Sequence, residues 1–389
     1  MIDIQSDFRD KIKIITPKDE YFYFFGYYDL HPTQQGDKRH LCHRTTFMDR
    51  IPKAEDTCEL GYLEDGKFVK FAETTAWNFQ QGAMLTYHPT KENTVLYNTV
   101  KDGKFVTAIH NYATGEITYA NRPSATYSGN GDYSLSVNFG RIFDFRKGYG
   151  YAGFKDENAD VCVPENDGVF IVDLKSGESR LLVSYRDLLE ESGFELDDKV
   201  MVNHITICPD ADKYLMLVRA MRKDGTAWDT SMMVGDLSGN LKTILHRTYV
   251  SHYYWLSPDE IAAHTTVDGD KTRGLYIVNA HTGATKTVES FYFTEFYCDI
   301  HCSLSPDGRY IIGDGYPKGG YRQILSIDRV TGKSKIILAA KSPDPAHPDI
   351  RCDLHARFAF DGKYVSFDTT ADDGRREIAV FPVGYLSCD

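Results

Sequence analysis

The sequence predicts an all-β fold, a seven-bladed β-propeller with four antiparallel strands per blade. Three observations lead there. Short Val/Ile/Tyr/Phe-rich runs alternate with Asp-Gly, Thr-Gly and Asn-Gly turns along almost the whole chain. A hairpin with a Pro-Asp or Asp-Gly tip recurs four times, with three weaker copies earlier in the chain, and a second strand-tip-strand unit follows nearly every copy. The tip prolines Pro209, Pro258 and Pro306 are 49 and 48 residues apart. Two hairpins in a period of about 50 residues make one propeller blade. Two stacked sandwiches would not need this bipartite period.

In chain order, the first units are "YDLHPTQQGDKRHLCHR", "LTYHPTKENTVLYN", "TYSGNGDYSLSVNF", "ICPDADKYLMLV", "LSPDEIAAHTT", "LSPDGRYIIGDG" and "FAFDGKYVSFDTT". The second units run from "ELGYLEDGKFVKF" and "AIHNYATGEITYA" to "LSIDRVTGKSKIIL" and a final "EIAVFPVG". Asn130 to Pro209 spans 79 residues, so the third blade carries an insertion around residues 141–200. The one segment with helical periodicity, "SYRDLLEESGF", lies inside it. The chain, residues 1–389, reads as a single domain without a linker.

A formal net charge of -12 with no Lys/Arg-dense run argues against nucleic acid as a partner, since that affinity depends on neutralising many phosphates. An acidic oligosaccharide remains compatible, because a local arginine cluster can hold carboxylates within an acidic protein. The start of the chain has no apolar leader region, and no run approaches a membrane span, so the expectation is a soluble, cytoplasmic protein. Eight scattered cysteines without CxxC pairs suit buried reduced thiols.

Aligning the repeats on their tips turns scattered histidines into a pattern. His204, His301 and His355 each lie five residues before the tip position, and His252 lies six before Pro258. First strands of blades line the central channel, so equivalent positions converge near the axis. One such His is ordinary channel lining. Four coincident imidazoles compete for few acceptors, whereas a divalent cation uses their lone pairs directly. His204, His301 and His355 are therefore candidate metal ligands, and Asp353 adds an oxygen donor that favours Mn over Zn, Ni or Fe. The extra residue before Pro258 sets His252 apart in strand parity, which suits a general base beside a metal. Cys298 and Cys302 straddle His301 on an alternating strand and fit packing better than thiolate ligation.

These residues resemble a known family, the oligogalacturonate lyases, over about the last 190 residues. "SHYYWLSPDE" resembles the segment carrying that family's proposed histidine base, matching at His252 and Trp255. "DIHCSLSPDGRYIIGDG" resembles a metal-ligand segment, which implies His301 on the metal. "CDLHARFAFDGKYVSFDTTADDG" resembles the last ligand segment and implies the same for His355. There the family carries a Gln and a second His where this chain has Ile350 and Asp353. The family's substrate-bracing arginine falls near Thr230, with Arg219 and Arg222 close by. The resemblance implies a seven-bladed propeller that cleaves pectic oligosaccharides by β-elimination with bound Mn.

In the first half, "NFGRIFDFRKGYGY" places Arg141 and Arg146 five apart and follows them with Tyr149, a combination suited to a sugar-acid subsite. A salt bridge to a neighbouring loop is the alternative for either arginine. "TAWNFQQGAML" sets Gln81 at the height of the histidine ring, where it extends the polar ring or caps a sheet edge. Tyr27 and Tyr28 in "FFGYYDLHP" are read as closing the propeller, and His88 and His110 as surface or turn residues.

The resulting expectation is a metal-dependent lyase acting on a uronate-containing oligosaccharide. His252 is its base, with Arg219 or Arg222 neutralising charge, and Arg141, Arg146, Tyr149, Trp255 and Gln81 contact substrate. A non-catalytic carbohydrate- or protein-binding propeller is the alternative from another class. A metal-dependent glycoside hydrolase or epimerase is the third reading.

Overall fold

The computed structural model describes residues 3–34, 36, 38–209, 211–221, 228–267, 273–288 and 299–388. Its strands form seven antiparallel sheets arranged as the blades of a propeller. Blade 1 runs from Phe22–Phe24 to Lys67–Thr74, blade 2 from Thr86–Tyr87 to Glu116–Ala120, and blade 3 from Thr126–Tyr127 to Ser179–Ser184. Blade 4 runs from Val200–Ile207 to Leu241–Thr248 and blade 5 from Val250–Trp255 to Thr285–Thr287. Blade 6 begins at His301–Leu304 and blade 7 at Arg357–Phe358. Alternation along the strands fills the spaces between blades with buried apolar side chains, among them Leu215, Leu217, Ile261 and Ala263 between blades 4 and 5.

The ring closes differently from the sequence expectation. The final unit contributes one strand, Glu377–Pro382, and the fourth strand of blade 7 is the N-terminal Lys13–Ile14, with Lys13 opposite Val380. Ile4–Gln5 adds a fifth strand to blade 6 against Ala339 and Ala340. The first residues of the chain thus cover two sheet edges that would otherwise expose unpaired backbone groups.

Between the first strands of blades 1 and 2 the sequences diverge in use. After Phe24 the chain enters the axial channel, and Gly26 to Gln34 form a plug that touches both of its ends. Gly26 has φ +126, and a Cβ there would stand 2.9 Å from the carbonyl oxygen of Gln81. Only glycine lets the chain turn inward at this point.

The long connection in blade 3 holds the helix Phe139–Phe145, which the sequence reading missed, and Tyr185–Ser192 follows that blade's last strand. Ser184 and Asp187 form a capping box on the second helix, and Gly193 ends it at φ 74. Asn138 caps the first helix through Arg141 N. No helix among the described residues is long and apolar enough to cross a membrane.

Candidate metal centre

The start of the inner strand of blade 6 and the segment leading into that of blade 7 come together at the end of the channel opposite the hairpin tips. Ligand-type atoms of His301, Asp353 and His355 all lie within 4.8 Å of one another, and all three side chains are buried. His355 Nε2 is 3.9 Å from Asp353 Oδ2. Two donors each about 2.1 Å from one ion lie at most about 4 Å apart, so this separation is compatible with a shared cation. Asp353 Oδ2 lies 2.8 Å from Arg351 Nε, whereas both ring nitrogens of His301 and Nε2 of His355 are buried without a hydrogen-bond partner. Burying such atoms bare is unfavourable, and a cation would take up their lone pairs.

The surroundings fix each donor. His355 Nδ1 lies 2.9 Å from the carbonyl oxygen of Gly26, which must accept its proton, so Nε2 is left as a lone pair. His355 itself has φ 43, a left-handed backbone uncommon for a side-chain-bearing residue. Asp314, from the Gly-Asp-Gly segment, holds that backbone: its carboxylate accepts Leu354 N at 2.8 Å and His355 N at 3.2 Å. Its Oδ1 also lies 3.2 Å from His301 Nδ1. Burial alone would raise the Asp353 pKa, but Arg351 and Arg322 outweigh it and hold the carboxyl well below the ordinary range. Burial, with His301 nearby, pushes the His355 pKa well down. The two donors therefore stand ionised and neutral, as a metal ligand set requires.

His252 packs against this trio from blade 5, its ring centroid 3.9 Å from that of His301. The parity concern resolves in the turn: Trp255 ends its strand where Leu304 ends the next blade's, and each histidine stands three residues earlier. Pro258 is simply one position later in its hairpin than Pro306. Asp299 accepts the Nδ1 proton of His252 at 2.6 Å and the Tyr249 hydroxyl at 2.7 Å. This pairing leaves His252 Nε2 as a base, and burial lowers the His252 pKa to about 3 against the opposing pull of Asp299. His264, directly across the strand pair from His252, is buried with neither ring nitrogen hydrogen-bonded.

His204, expected on the metal, stands outside the trio. Its Nε2 is 2.8 Å from Asp29 Oδ2, and its ring stacks on Tyr253 with centroids 4.4 Å apart. Tyr28 of the plug touches the rings of all four histidines, and Tyr27 touches those of His204 and His355. These tyrosines form the floor of the histidine cluster, whereas the ring is closed by the N-terminal strand.

A cationic rim surrounds the cluster. Arg351 donates to Asp353 and to the Tyr149 hydroxyl, and Arg322 lies 2.7 Å from Asp353 Oδ1. Arg146 stacks over Tyr149 at 4.1 Å and is a quarter exposed. Arg219 is buried, donates to the carbonyls of Val250 and Ser251, and keeps Nε unpaired. Its charge acts on His252 and Tyr27. Arg222 lies outside the described residues.

Three sequence assignments are corrected by position. Arg141 is fully buried, and its guanidinium is held by Asp156 and the carbonyls of Val200, Asn158, Val161 and Cys162, so it ties down the insertion and does not face a sugar acid. Trp255 lies toward the hairpin-tip end of the channel, away from the trio, with Nε1 on Thr206 O. Gln81 is buried beneath Gly26, and it is Gln80 whose Nε2 reaches the rim at Arg351 O. His88 and His110 are buried, not at the surface. Cys42, Cys58, Cys162, Cys352 and Cys388 are free thiols, and Cys302 packs in the core beside His301. Cys298 lies outside the described residues. The sequence reading missed Asp29, Asp299, Asp314, Arg322 and Arg351; Asp299 and Asp314 had stood two residues before His301 and inside Gly-Asp-Gly.

By sequence, the chain matches no protein-family model and no curated protein. By structure, it is similar to an oligogalacturonate lyase in complex with manganese, with a TM-score of 0.67 and 14% identity over 100% of this chain and 98% of that one. The likeness is one of fold. An oligogalacturonate lyase from Vibrio parahaemolyticus aligns with a TM-score of 0.65 and 14% identity over 98% of this chain and 97% of that one. A puromycin-hydrolysing peptidase from Mycobacterium tuberculosis also aligns, with a TM-score of 0.54 and 11% identity, across 95% of this chain and 55% of its own. The two lyases share the propeller over their whole length, whereas the peptidase shares it over part.

Proposed function

We propose that this protein is a metal-dependent lyase that cleaves a uronate-containing oligosaccharide by β-elimination. The observation that carries the reading is the juxtaposition of His301, Asp353 and His355, with the unpartnered ring nitrogens of the two histidines, and the Asp299-held His252 against His301. The mixed nitrogen and carboxylate donor set suits Mn, and the manganese complex of a lyase with the same fold supports that choice. When bound, the ion supplies positive charge to the uronate carboxylate and so acidifies the proton on C5.

The residues of the chain do the rest. Asp299 keeps the Nδ1 proton of His252 in place, so Nε2 takes the proton from C5. The C5–H electron pair becomes the C4–C5 double bond, the C4–O bond breaks, and the departing oxygen leaves with the remaining saccharide. Arg219, Arg146 and Arg351 offset the carboxylate charge at the rim, where bidentate guanidinium pairing gives direction as well as attraction. Burial beneath the Tyr27–Tyr28 floor keeps water from His252 and strengthens these charges. The partner is thus an acidic oligosaccharide.

Incubating the purified protein, with and without added Mn, with a panel of uronate oligomers tests the reading through the ultraviolet absorbance of the 4,5-unsaturated product. Absorbance that rises with one oligomer and depends on the metal is expected. No rise with any uronate, in protein shown to hold the ion, contradicts it.

A further inference from the structure

The channel has a second mouth. At the hairpin-tip end lies a cavity of about 490 Å³, within the range of small-molecule sites. The plug separates it from the histidine cluster: Tyr27 and Tyr28 face the cluster, while Asp29 to Gln34 line the cavity. Aromatic side chains, Tyr127, Tyr254, Trp255 and Phe360, form much of its wall. Phe360 is 47% exposed, an open aromatic face at the entrance.

Its polar chemistry is the reverse of the cationic rim. Among the described residues no arginine lines it, and its one lysine, Lys91, is accompanied by the carboxylates of Asp29 and Glu92. Burial, helped by Lys91, lowers the His88 pKa to about 4, so that ring is neutral. Two acceptors, Asp29 Oδ1 and Gln34 Oε1, are buried without a hydrogen-bond partner. A buried acceptor without a partner calls for a donor, which a sugar hydroxyl has and a carboxylate group lacks.

We propose that this cavity binds a neutral pyranose unit. Its hydroxyls donate to Asp29 Oδ1 and Gln34 Oε1, and its apolar ring face lies on the aromatic wall. The two ends of one channel then differ in charge preference, uronate at the arginine rim and neutral sugar at the tips. Asp29 joins them, because its other oxygen, Oδ2, is the partner of His204. The binding claim stands apart from the lyase reading, since it needs neither turnover nor metal.

The test is calorimetric titration of the full chain, with metal removed by chelation, against D-galactose, D-glucose and D-galacturonate, repeated with Gln34→Leu and Phe360→Ala. At least one neutral sugar is expected to bind, galacturonate more weakly, and each variant to lose about tenfold in affinity, as for one hydrogen bond or one stacking face. Unchanged thermal midpoints would show that both variants fold. Binding of neither neutral sugar, preference for galacturonate, or neutral-sugar affinity untouched by both substitutions would overturn the proposal. Ligand-observed NMR with the same sugars covers binding too weak for calorimetry, with the same outcomes deciding.

Discussion

Asp314 holds His355 in a left-handed backbone conformation. Its carboxylate accepts the His355 N–H at 3.2 Å and the preceding Leu354 N–H at 2.8 Å, while the same group lies against the His301 ring. One side chain in blade 6 thereby sets the positions of two candidate metal donors from different blades. Such strain is retained where the surroundings over-determine it, and here they determine the donor geometry.

Replacing Asp314 should therefore weaken metal binding without removing a ligand. Asp314→Asn keeps one acceptor and is expected to lose about 10- to 100-fold in metal affinity, the usual scale for groups that orient ligands. Competitive titration against a metal-sensitive dye reads it directly. Unchanged affinity would mean that His355 does not need this anchor.

His252 and Asp299 should separate catalysis from metal content. His252→Ala is expected to retain the ion and lose about 10²- to 10⁴-fold in turnover, the range for a missing general base. Asp299→Asn should lower kcat by less and shift its pH profile, because the amide holds the imidazole without its charge. Metal analysis beside steady-state rates checks both; a variant that loses its ion along with activity would make His252 a ligand.

Arg141 and Arg146 should fail in different ways. Arg141→Met breaks a fully buried ion pair with Asp156 and leaves several carbonyls bare, so a loss of about 3–5 kcal/mol in stability is expected. Denaturant unfolding measures it. Arg146→Met, at the rim, should leave stability nearly unchanged and raise KM for a uronate substrate.

The propeller was legible because hairpin chemistry repeats with a fixed period, and His301 and His355 because that period puts them in register. Their partners were not legible. Asp314 reaches the next blade, and Asp299 pairs across to blade 5, so neither relationship has a sequence spacing to reveal it. Arg141 was misread because the same guanidinium chemistry serves a buried anchor and a substrate clamp. Trp255 was misplaced because a single strand reaches both ends of the channel, with His252 near one and Trp255 near the other. The N-terminal strands were missed since two-residue strands carry no alternation of their own.

Acid should destabilise the fold before carboxylates titrate. Burial lowers His40 and His43 to about 3 and His88 to about 4, from an ordinary 6.5. Between 6.5 and those values the unfolded chain binds protons that the folded one refuses, so stability falls as pH falls through this window. Glu377, pushed up to about 7 by burial, acts oppositely between 4.5 and 7. Thermal midpoints taken from about pH 7 down to about pH 4 should decline steadily; a flat profile would contradict neutral burial of these histidines.

The central claim is that His301, Asp353 and His355 hold a divalent ion on which β-elimination depends. The most direct measurement is the rate of unsaturated-product formation from a uronate oligomer by chelated protein as Mn is added back, in the native chain and in His301→Ala. The account predicts that Mn restores the native rate and leaves the variant inactive. Full activity in the chelated protein, or equal restoration in both chains, would contradict it.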